Sequence, residues 1–333
     1  MVVIQGEVMQ IQPIDAKDLA DLTNLFNKET LSDDFLYQNL NEDAFKLKFM
    51  NSNKTYNIYT FVAKSDNQVL GFISGVYDKT TKKAYITMII VDVNYRNKGI
   101  GSKLLHVLEE ILLKENLEQE KIEIVFFNPV QLTWHIPNTN ALHPNAPGID
   151  KLSNAYLFFK EHGYIDFAVQ NVYYMEIKNY LYSAETLKVL NKVEQAGFKI
   201  DYYDVENDYG LEALLDHLGS LVWKNEVLNH IKQKGKENTL LVPTLDNKVL
   251  GFTGPLTLED SGRGYFAGIG THADVRGKGI GKALFARLIH GLKDIGASYM
   301  TLFTGENNPA RRLYEKEGFE IVRTYINLRK VDF

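Results

Sequence analysis

The chain has 333 residues, a length that suits two domains of about 100–200 residues each. Its formal net charge of −5 supplies no basic field for a nucleic-acid backbone, and with no cysteine it has no disulfide, thiolate metal site or cysteinyl intermediate. No run of about 18 apolar residues is present, and residues 1–21 lack a basic region followed by an apolar one, so the expectation is a cytoplasmic protein without membrane span or signal peptide.

In chain order, residues 7–13 predict a short strand, and Asp15 a cap for a helix with Leu19, Leu22, Leu25 and Phe26 at helical spacing. A second helical pattern runs through Phe45, Leu47 and Phe49. A meander follows, with strand 59–63, a turn at Ser65-Asp66-Asn67, and strands 69–77 and 84–91. Next come a glycine loop, a helix over 101–114 and a strand over 122–127. Residues 128–153 hold four of the eight prolines, together with Trp134, His135 and His143, and predict a long ordered loop. A helix over 154–162 stops at Gly163, and strands 164–169 and 172–178 end the half. Ser183 caps a connector helix ending at Gly197.

The second half repeats the plan. Strand 198–203 precedes helical spacing at Leu211, Leu214, Leu215 and Leu218, then strands 239–243, 248–253 and 264–271. A second glycine loop, helix 281–294, strand 298–303, helix 309–317 and strand 324–329 complete it. Each half reads as an α+β unit, a sheet with helices on its faces.

The repetition extends to the residues. Val91-Asp92-Val93-Asn94-Tyr95-Arg96-Asn97-Lys98-Gly99-Ile100-Gly101 returns at an offset of 180 as Thr271-His272-Ala273-Asp274-Val275-Arg276-Gly277-Lys278-Gly279-Ile280-Gly281. At the same offset, Asp66-Asn67-Gln68-Val69-Leu70-Gly71-Phe72 returns as Asp246-Asn247-Lys248-Val249-Leu250-Gly251-Phe252. A period this long means duplicated domains, since solenoid repeats run to roughly 20–50 residues.

A strand entering a glycine turn and then a helix presents unpaired N–H groups at the helix N-terminus, a site for an anion and usually a phosphate. A Walker A loop needs Gly, four residues, then Gly-Lys-Ser/Thr, and neither copy has that spacing. A dinucleotide fingerprint needs a third glycine where Leu104 and Leu284 stand. A coenzyme A pyrophosphate loop is the third reading. Two solvent-facing basic turns would be the bland one, and duplication in register argues against it.

Both hexads, Arg96-Asn97-Lys98-Gly99-Ile100-Gly101 and Arg276-Gly277-Lys278-Gly279-Ile280-Gly281, match the Arg/Gln-x-x-Gly-x-Gly/Ala signature of the GNAT superfamily of N-acetyltransferases. Downstream, Asn307-Asn308-Pro309-Ala310-Arg311-Arg312-Leu313-Tyr314-Glu315-Lys316-Glu317-Gly318-Phe319 resembles that family's Asn-x-x-Ala-x-x-Leu-Tyr-x-x-x-Gly-Phe segment. The resemblance covers nearly the whole chain. It implies two consecutive domains, 1–180 with the insertion 128–153 and 181–333, each a mixed, mainly antiparallel sheet flanked by helices.

The resemblance further implies acetyl-CoA as cosubstrate, without a metal. Arg276, Gly277, Lys278, Gly279, Ile280, Gly281 and Lys282 would hold the pyrophosphate, as would Val91, Arg96, Asn97, Lys98, Gly99, Ile100 and Gly101 in the first copy. Ile269, Gly270 and Thr271 would lie along the pantetheine arm, with Gly268, Gly270 and Thr304-Gly305 easing its approach and an N–H polarising the thioester carbonyl. Asn307 would also contact the cosubstrate, and Tyr314 would be the general acid. Read locally, Asn308 is an N-cap, Pro309 the first helical residue and Gly318 the stop, and Tyr314 is as readily a core tyrosine.

The halves are unequal. Aligning Gly163 with Gly318 and Ala155 with Ala310 puts Phe159, which cannot donate a proton, opposite Tyr314. Gly101 to Gly163 is 62 residues and Gly281 to Gly318 only 37, and the extra 25 fall in 128–153. Chemistry is therefore expected in the second half, as direct acetyl transfer to a primary amine. The acceptor is expected to be a small molecule rather than a protein, with the acidic balance favouring cationic amines such as polyamines or aminoglycosides. His272, Asp260 and Glu306 are candidate bases. The first half would brace the second, bind acetyl-CoA non-productively, or lend Trp134 and His135 to a substrate pocket; the rival is that it acts itself, with Tyr156 or His135 as acid. The alternative of another class is a non-catalytic acyl-CoA sensor.

Overall fold

The structure is a computed structural model that describes residues 3–4, 7–30, 36–65, 68–115, 121–126 and 128–331. The turn expected at Asp66-Asn67, and Phe127 at the end of the expected strand 122–127, lie outside the described residues. The chain forms two compact units. Unit 1 comprises Met1–Val172, Phe303–Asn307 and Val322–Phe333, and unit 2 comprises Tyr173–Leu302 and Asn308–Ile321.

Unit 1 opens with β1 (Gln10–Pro13), α1 (Leu19–Thr30) and α2 (Glu42–Phe49). The meander is β2 (Tyr56–Ser65), β3 (Gln68–Asp78) and β4 (Lys83–Val91), followed by α3 (Ile100–Glu115), β5 (Ile122–Ile124), α4 (Asn154–Glu161) and β6 (Ile165–Glu176). Strand β6 is continuous where the sequence reading broke it at Gln170-Asn171. Neighbouring residues on one strand face opposite layers, as the two-residue period requires. Phe72 and Val62 pack under Leu22, Phe26, Phe45 and Phe49 of α1 and α2, whereas Ile73 and Phe61 meet Leu104, Leu105 and Leu108 of α3.

Unit 2 contains α5 (Ala184–Gln195), β7 (Lys199–Tyr202), α6 (Leu211–Leu218), α7 (Leu221–Lys234), β8 (Leu241–Leu245), β9 (Gly251–Leu258), β10 (Arg263–Thr271), α8 (Ile280–Asp294), residues 299–302 of β11 (Tyr299–Gly305), α9 (Arg311–Lys316) and the first two residues of β12 (Glu320–Lys330). Its strands run in the order β7-β8-β9-β10-β11, followed by residues 173–176 of β6, which belong to this unit. Leu211, Leu214, Leu215 and Val227 cover one face; Leu284, Phe285, Leu288 and Leu292 of α8 cover the other. Sequence reading missed α7 because its apolar stripe, Trp223, Val227, Leu228 and Ile231, is only partly buried and is blurred by the exposed Leu221 and Val222.

The last strand has an unexpected place. Residues 322–330 of β12 lie in the sheet of unit 1, whose order is β12-β5-β4-β3-β2-β1, with Leu328 opposite Ile124 and Lys330 opposite Ile122. A half-buried charge pair holds the strand there. Lys330 Nζ is 3.1 Å from Glu109 Oε1 on α3, and the Tyr164 hydroxyl donates to the same oxygen at 2.9 Å. The sequence plan ends each half on its own strand, and strand order is invisible to a local pattern.

Candidate active site

In unit 2 the parallel strands β10 and β11 pair only at Arg263 with Tyr299 and Gly264 with Met300, then part. Arg263 fills the base of the gap, donating to Thr301 O at 3.0 Å and Thr301 Oγ1 at 2.7 Å and pairing with Glu259 at 2.7 Å. Along β10, His272 N donates to Leu250 O of the β9 side at 2.8 Å. Strand alternation then turns the N–H of Gly270 toward β9 and those of Thr271 and Ile269 toward the gap. A Cβ on Gly268 would lie 2.5 Å from the Trp223 ring and one on Gly270 2.8 Å from Leu218. The smallness of both glycines is thus used by α6 and α7 packing on the strand, where the sequence reading gave it to a ligand.

After β10, a single turn of 3-10 helix, Ala273–Val275, leads into the second glycine loop. Buried Val275 and Ile280 anchor its two ends. Gly277 at φ 76° and Gly279 at φ 87° occupy the left-handed region that favours glycine. A Cβ at Gly277 or Gly281 would meet nothing within 4 Å, so the loop surface there is open; at Gly279 it would be 3.3 Å from Val189 of α5. Lys282 is committed to Glu185 at 2.7 Å. Arg276 and Lys278 are exposed, with no side-chain hydrogen bond or ion pair among the described residues. Open glycines, free first-turn N–H groups and two uncommitted cations fit a diphosphate. Asn307 is exposed in the turn after β11, within the part counted in unit 1.

Tyr314 projects from α9 into the core against α8, the helix that follows that loop. Its ring is 7% exposed and lies 5.1 Å from Phe285 and 5.6 Å from Tyr173 between centroids. Burial, and secondarily the neighbouring Tyr173, pushes the phenol up to about 12. Its hydroxyl has no hydrogen-bond partner among the described residues and is not among the fully buried polar atoms left without one. The ring is a core residue and the hydroxyl a spare donor, so the two sequence readings of this tyrosine are compatible. Helix α9 begins at Arg311 rather than Pro309, with Asn308 Oδ1 accepting from Ala310 N at 2.9 Å in the preceding turn.

Unit 1 repeats the split, β4 and β5 pairing only at Ala84 with Ile122 and Tyr85 with Glu123. Its loop is committed differently. Arg96 is bound to buried Glu29 at 2.5 Å and donates to Val91 O at 3.0 Å. Lys98 lies 4.9 Å over the Tyr95 ring, Asn97 and Gly99 take positive φ, and Ile100 is buried. A Cβ on Gly101 would meet Phe158 at 3.2 Å. Between loop and α4 lies a cleft of about 280 Å³, continued by a cavity of about 70 Å³ under Phe159, Tyr37 and Tyr325. Trp134 is fully buried against Tyr325 and donates to Asn145 O at 3.1 Å, an anchor for the loop 128–153, while His135 is exposed. The Tyr156 hydroxyl is tied to Asp166 at 2.8 Å.

The candidate bases separate. His272 caps the 3-10 turn and stacks on His217 at 4.2 Å. Asp260 sits in the β9–β10 hairpin, at the opposite end of β10 from the loop, and Glu306 is exposed. A carboxylate that the sequence reading missed faces β10. Glu226 on α7 accepts a hydrogen bond from the Tyr265 hydroxyl at 3.2 Å, and burial, then Glu226, pushes that phenol up to about 12. Its signal was lost with the helix that carries it.

The sequence profile of the acetyltransferase (GNAT) family matches residues 19–129 and 201–319, more than half of the chain. A search of curated protein sequences finds no significant match. Among solved structures, the chain is similar to a fungal multidomain GH3 β-N-acetylglucosaminidase containing a GCN5-related glucosamine N-acetyltransferase region, at 16% identity and TM-score 0.67, spanning 98% of this chain but only 38% of that one. It is similar to a GCN5-related N-acetyltransferase from Sphaerobacter thermophilus, at 13% identity and TM-score 0.62 over 97% and 95% of the two chains. A tandem GNAT protein from the clavulanic acid biosynthesis pathway shares 12% identity at TM-score 0.58 over 97% and 98%. With the same split strands, glycine loop and helix in both copies, the chain belongs to the GNAT family of acetyltransferases, in a tandem two-domain form.

Proposed function

We propose that the chain transfers an acetyl group from acetyl-CoA directly to a primary amine, and that unit 2 performs the chemistry. The observation that carries this is the Tyr314 hydroxyl, without a hydrogen-bond partner among the described residues, on a ring fixed by core packing, in the unit whose loop leaves Arg276 and Lys278 without a side-chain partner among those residues. When bound, acetyl-CoA supplies an acetyl group activated as a thioester. Main-chain N–H groups of 277–281 would hold its diphosphate, with Arg276 and Lys278 as counter-charges. The gap-facing N–H groups of Ile269 and Thr271 are donors for a carbonyl oxygen gaining charge, each worth roughly 2.7–4 kcal/mol if one serves that role. Tyr314 would hold a proton at Oη for a departing sulfur, and Glu226, beside Tyr265 of β10, would serve as the base that takes one from the amine.

The acceptor is a small amine. Release of free thiol from acetyl-CoA, measured across glucosamine, polyamines and aminoglycosides, tests the proposal; turnover with at least one is expected, with loss in Tyr314→Phe. Calorimetric binding of acetyl-CoA without turnover across that panel would instead support the sensor.

A further inference from the structure

The cleft of unit 1 holds two side chains that acetyl transfer in unit 2 leaves unused. Ser102 Oγ is 2.9 Å from His162 Nε2, and His162 Nδ1 is 2.7 Å from Phe158 O. A carbonyl oxygen only accepts, so Nδ1 carries the hydrogen. In the neutral ring Nε2 then has the lone pair, and the Ser102 hydroxyl donates to it. The Phe158 ring, 4.3 Å from the imidazole, fixes its plane. This is a nucleophile, a base and an orienting group, with a main-chain carbonyl where a carboxylate commonly stands.

The surroundings complete the geometry. Ser102 is the third residue of α3, and first-turn N–H groups have no partner within their helix. Those of Gly101 and Ser102 are therefore donors beside the nucleophile. Both side chains line the cleft of about 280 Å³, and Ile89, Val91, Ala155 and Phe158 give it apolar walls suited to a short acyl chain.

We propose that Ser102 and His162 form a second catalytic site, with Ser102 a nucleophile toward small activated carboxylic esters and thioesters. Ser102 Oγ bonds to the acyl carbon as the C–O or C–S bond to the leaving group breaks. His162 Nε2 receives the hydroxyl proton and returns it to the leaving alkoxide or thiolate. Water then attacks the acyl-serine, His162 again carrying the proton, and a carboxylic acid and free serine result. The carbonyl orients the ring without stabilising an imidazolium as a carboxylate does, so turnover is slow and covalent labelling is the sensitive readout.

The test treats the full chain with an alkyl fluorophosphonate, from which a reactive serine displaces fluoride, and maps the adduct by intact and peptide mass. One adduct per chain is expected, on the peptide carrying Ser102. It is absent in Ser102→Ala, at least tenfold slower in His162→Gln, and unchanged in Tyr314→Phe, which separates this site from the acetyl transfer proposed for unit 2. Melting temperatures of the two unit-1 variants within a few degrees of wild type establish that lost labelling is not lost folding. No adduct on the wild-type chain, an adduct that persists in Ser102→Ala, or labelling of Ser102 undiminished in His162→Gln overturns the proposal.

Discussion

The two glycine loops have nearly the same backbone and opposite commitments. In unit 1 the arginine that follows the turn is spent on a buried carboxylate, Glu29, and Phe158 lies over the second glycine of the Gly-x-Gly. In unit 2 the matching arginine is unpartnered among the described residues and Gly281 faces open space, but Gly279 carries the weight of Val189. The helix segments behind the loops diverge in step, with a core phenylalanine at 159 and a tyrosine with a spare hydroxyl at 314. Duplication kept the loop, and what changed is where its arginine points and whether a hydroxyl stands on the helix segment behind it. A motif match reports only the loop.

The largest test of that contrast is removal of the phenol. Tyr314→Phe keeps the ring against Phe285 and Tyr173, so stability should hold while kcat falls about 10²–10⁴-fold if the hydroxyl is a general acid. A fall of less than a few-fold in thiol release would remove Tyr314 from the mechanism. Gly281→Leu comes next. Nothing lies within 4 Å of the new Cβ, so the fold should tolerate the change while the side chain occupies the diphosphate space. The Michaelis constant for acetyl-CoA should rise about tenfold or more, the equivalent of about 1.4 kcal/mol of binding. Unaltered kinetics would mean that the diphosphate does not lie there.

The pH profile sharpens the same point. With its phenol pushed up to about 12 by burial, Tyr314 stays protonated, and so remains a donor, throughout the range in which a primary amine becomes neutral. An amine of ordinary pKa, about 10.4, should therefore make kcat/KM rise about tenfold per pH unit on the acid limb. The phenol should impose no decline until about pH 11. A falling limb with a midpoint below 10 would assign the proton to some other group.

Much of the fold was legible because its signals are local. Strands β3 and β4 and helices α3 and α8 are strongly apolar, and Ser183 accepts from Thr186 N at 3.0 Å as a cap should. Helix α7 was not legible, since exposed Leu221 and Val222 blur the partly buried stripe of Trp223, Val227, Leu228 and Ile231, and Glu226 was lost with it. Nor was the placement of β12, where an 11-residue strand joins unit 1 through pairs more than 200 residues apart in sequence. At the site, Gly277 and Gly279 take the left-handed φ that a glycine turn allows. At Gly268 and Gly270 a glycine records only that something approaches closely, and here it is Trp223 and Leu218.

The smallest effect is the most discriminating, because it asks each arginine the same question. Arg276 is exposed and unpartnered among the described residues, so Arg276→Ala should leave stability within about 0.5 kcal/mol of wild type. It should weaken acetyl-CoA about three- to tenfold through a lost charge-assisted contact. Arg96→Ala should do the reverse. Losing the partner of a buried carboxylate costs about 3–5 kcal/mol when both charges are buried. The Arg96 side chain is 28% exposed, so solvent reduces the expected loss to about 1–3 kcal/mol. Denaturant melts and acetyl-CoA titrations on both variants read the two effects separately. If Arg96→Ala abolished turnover at unchanged stability while Arg276→Ala had no effect, the roles assigned to the two loops would have to be exchanged.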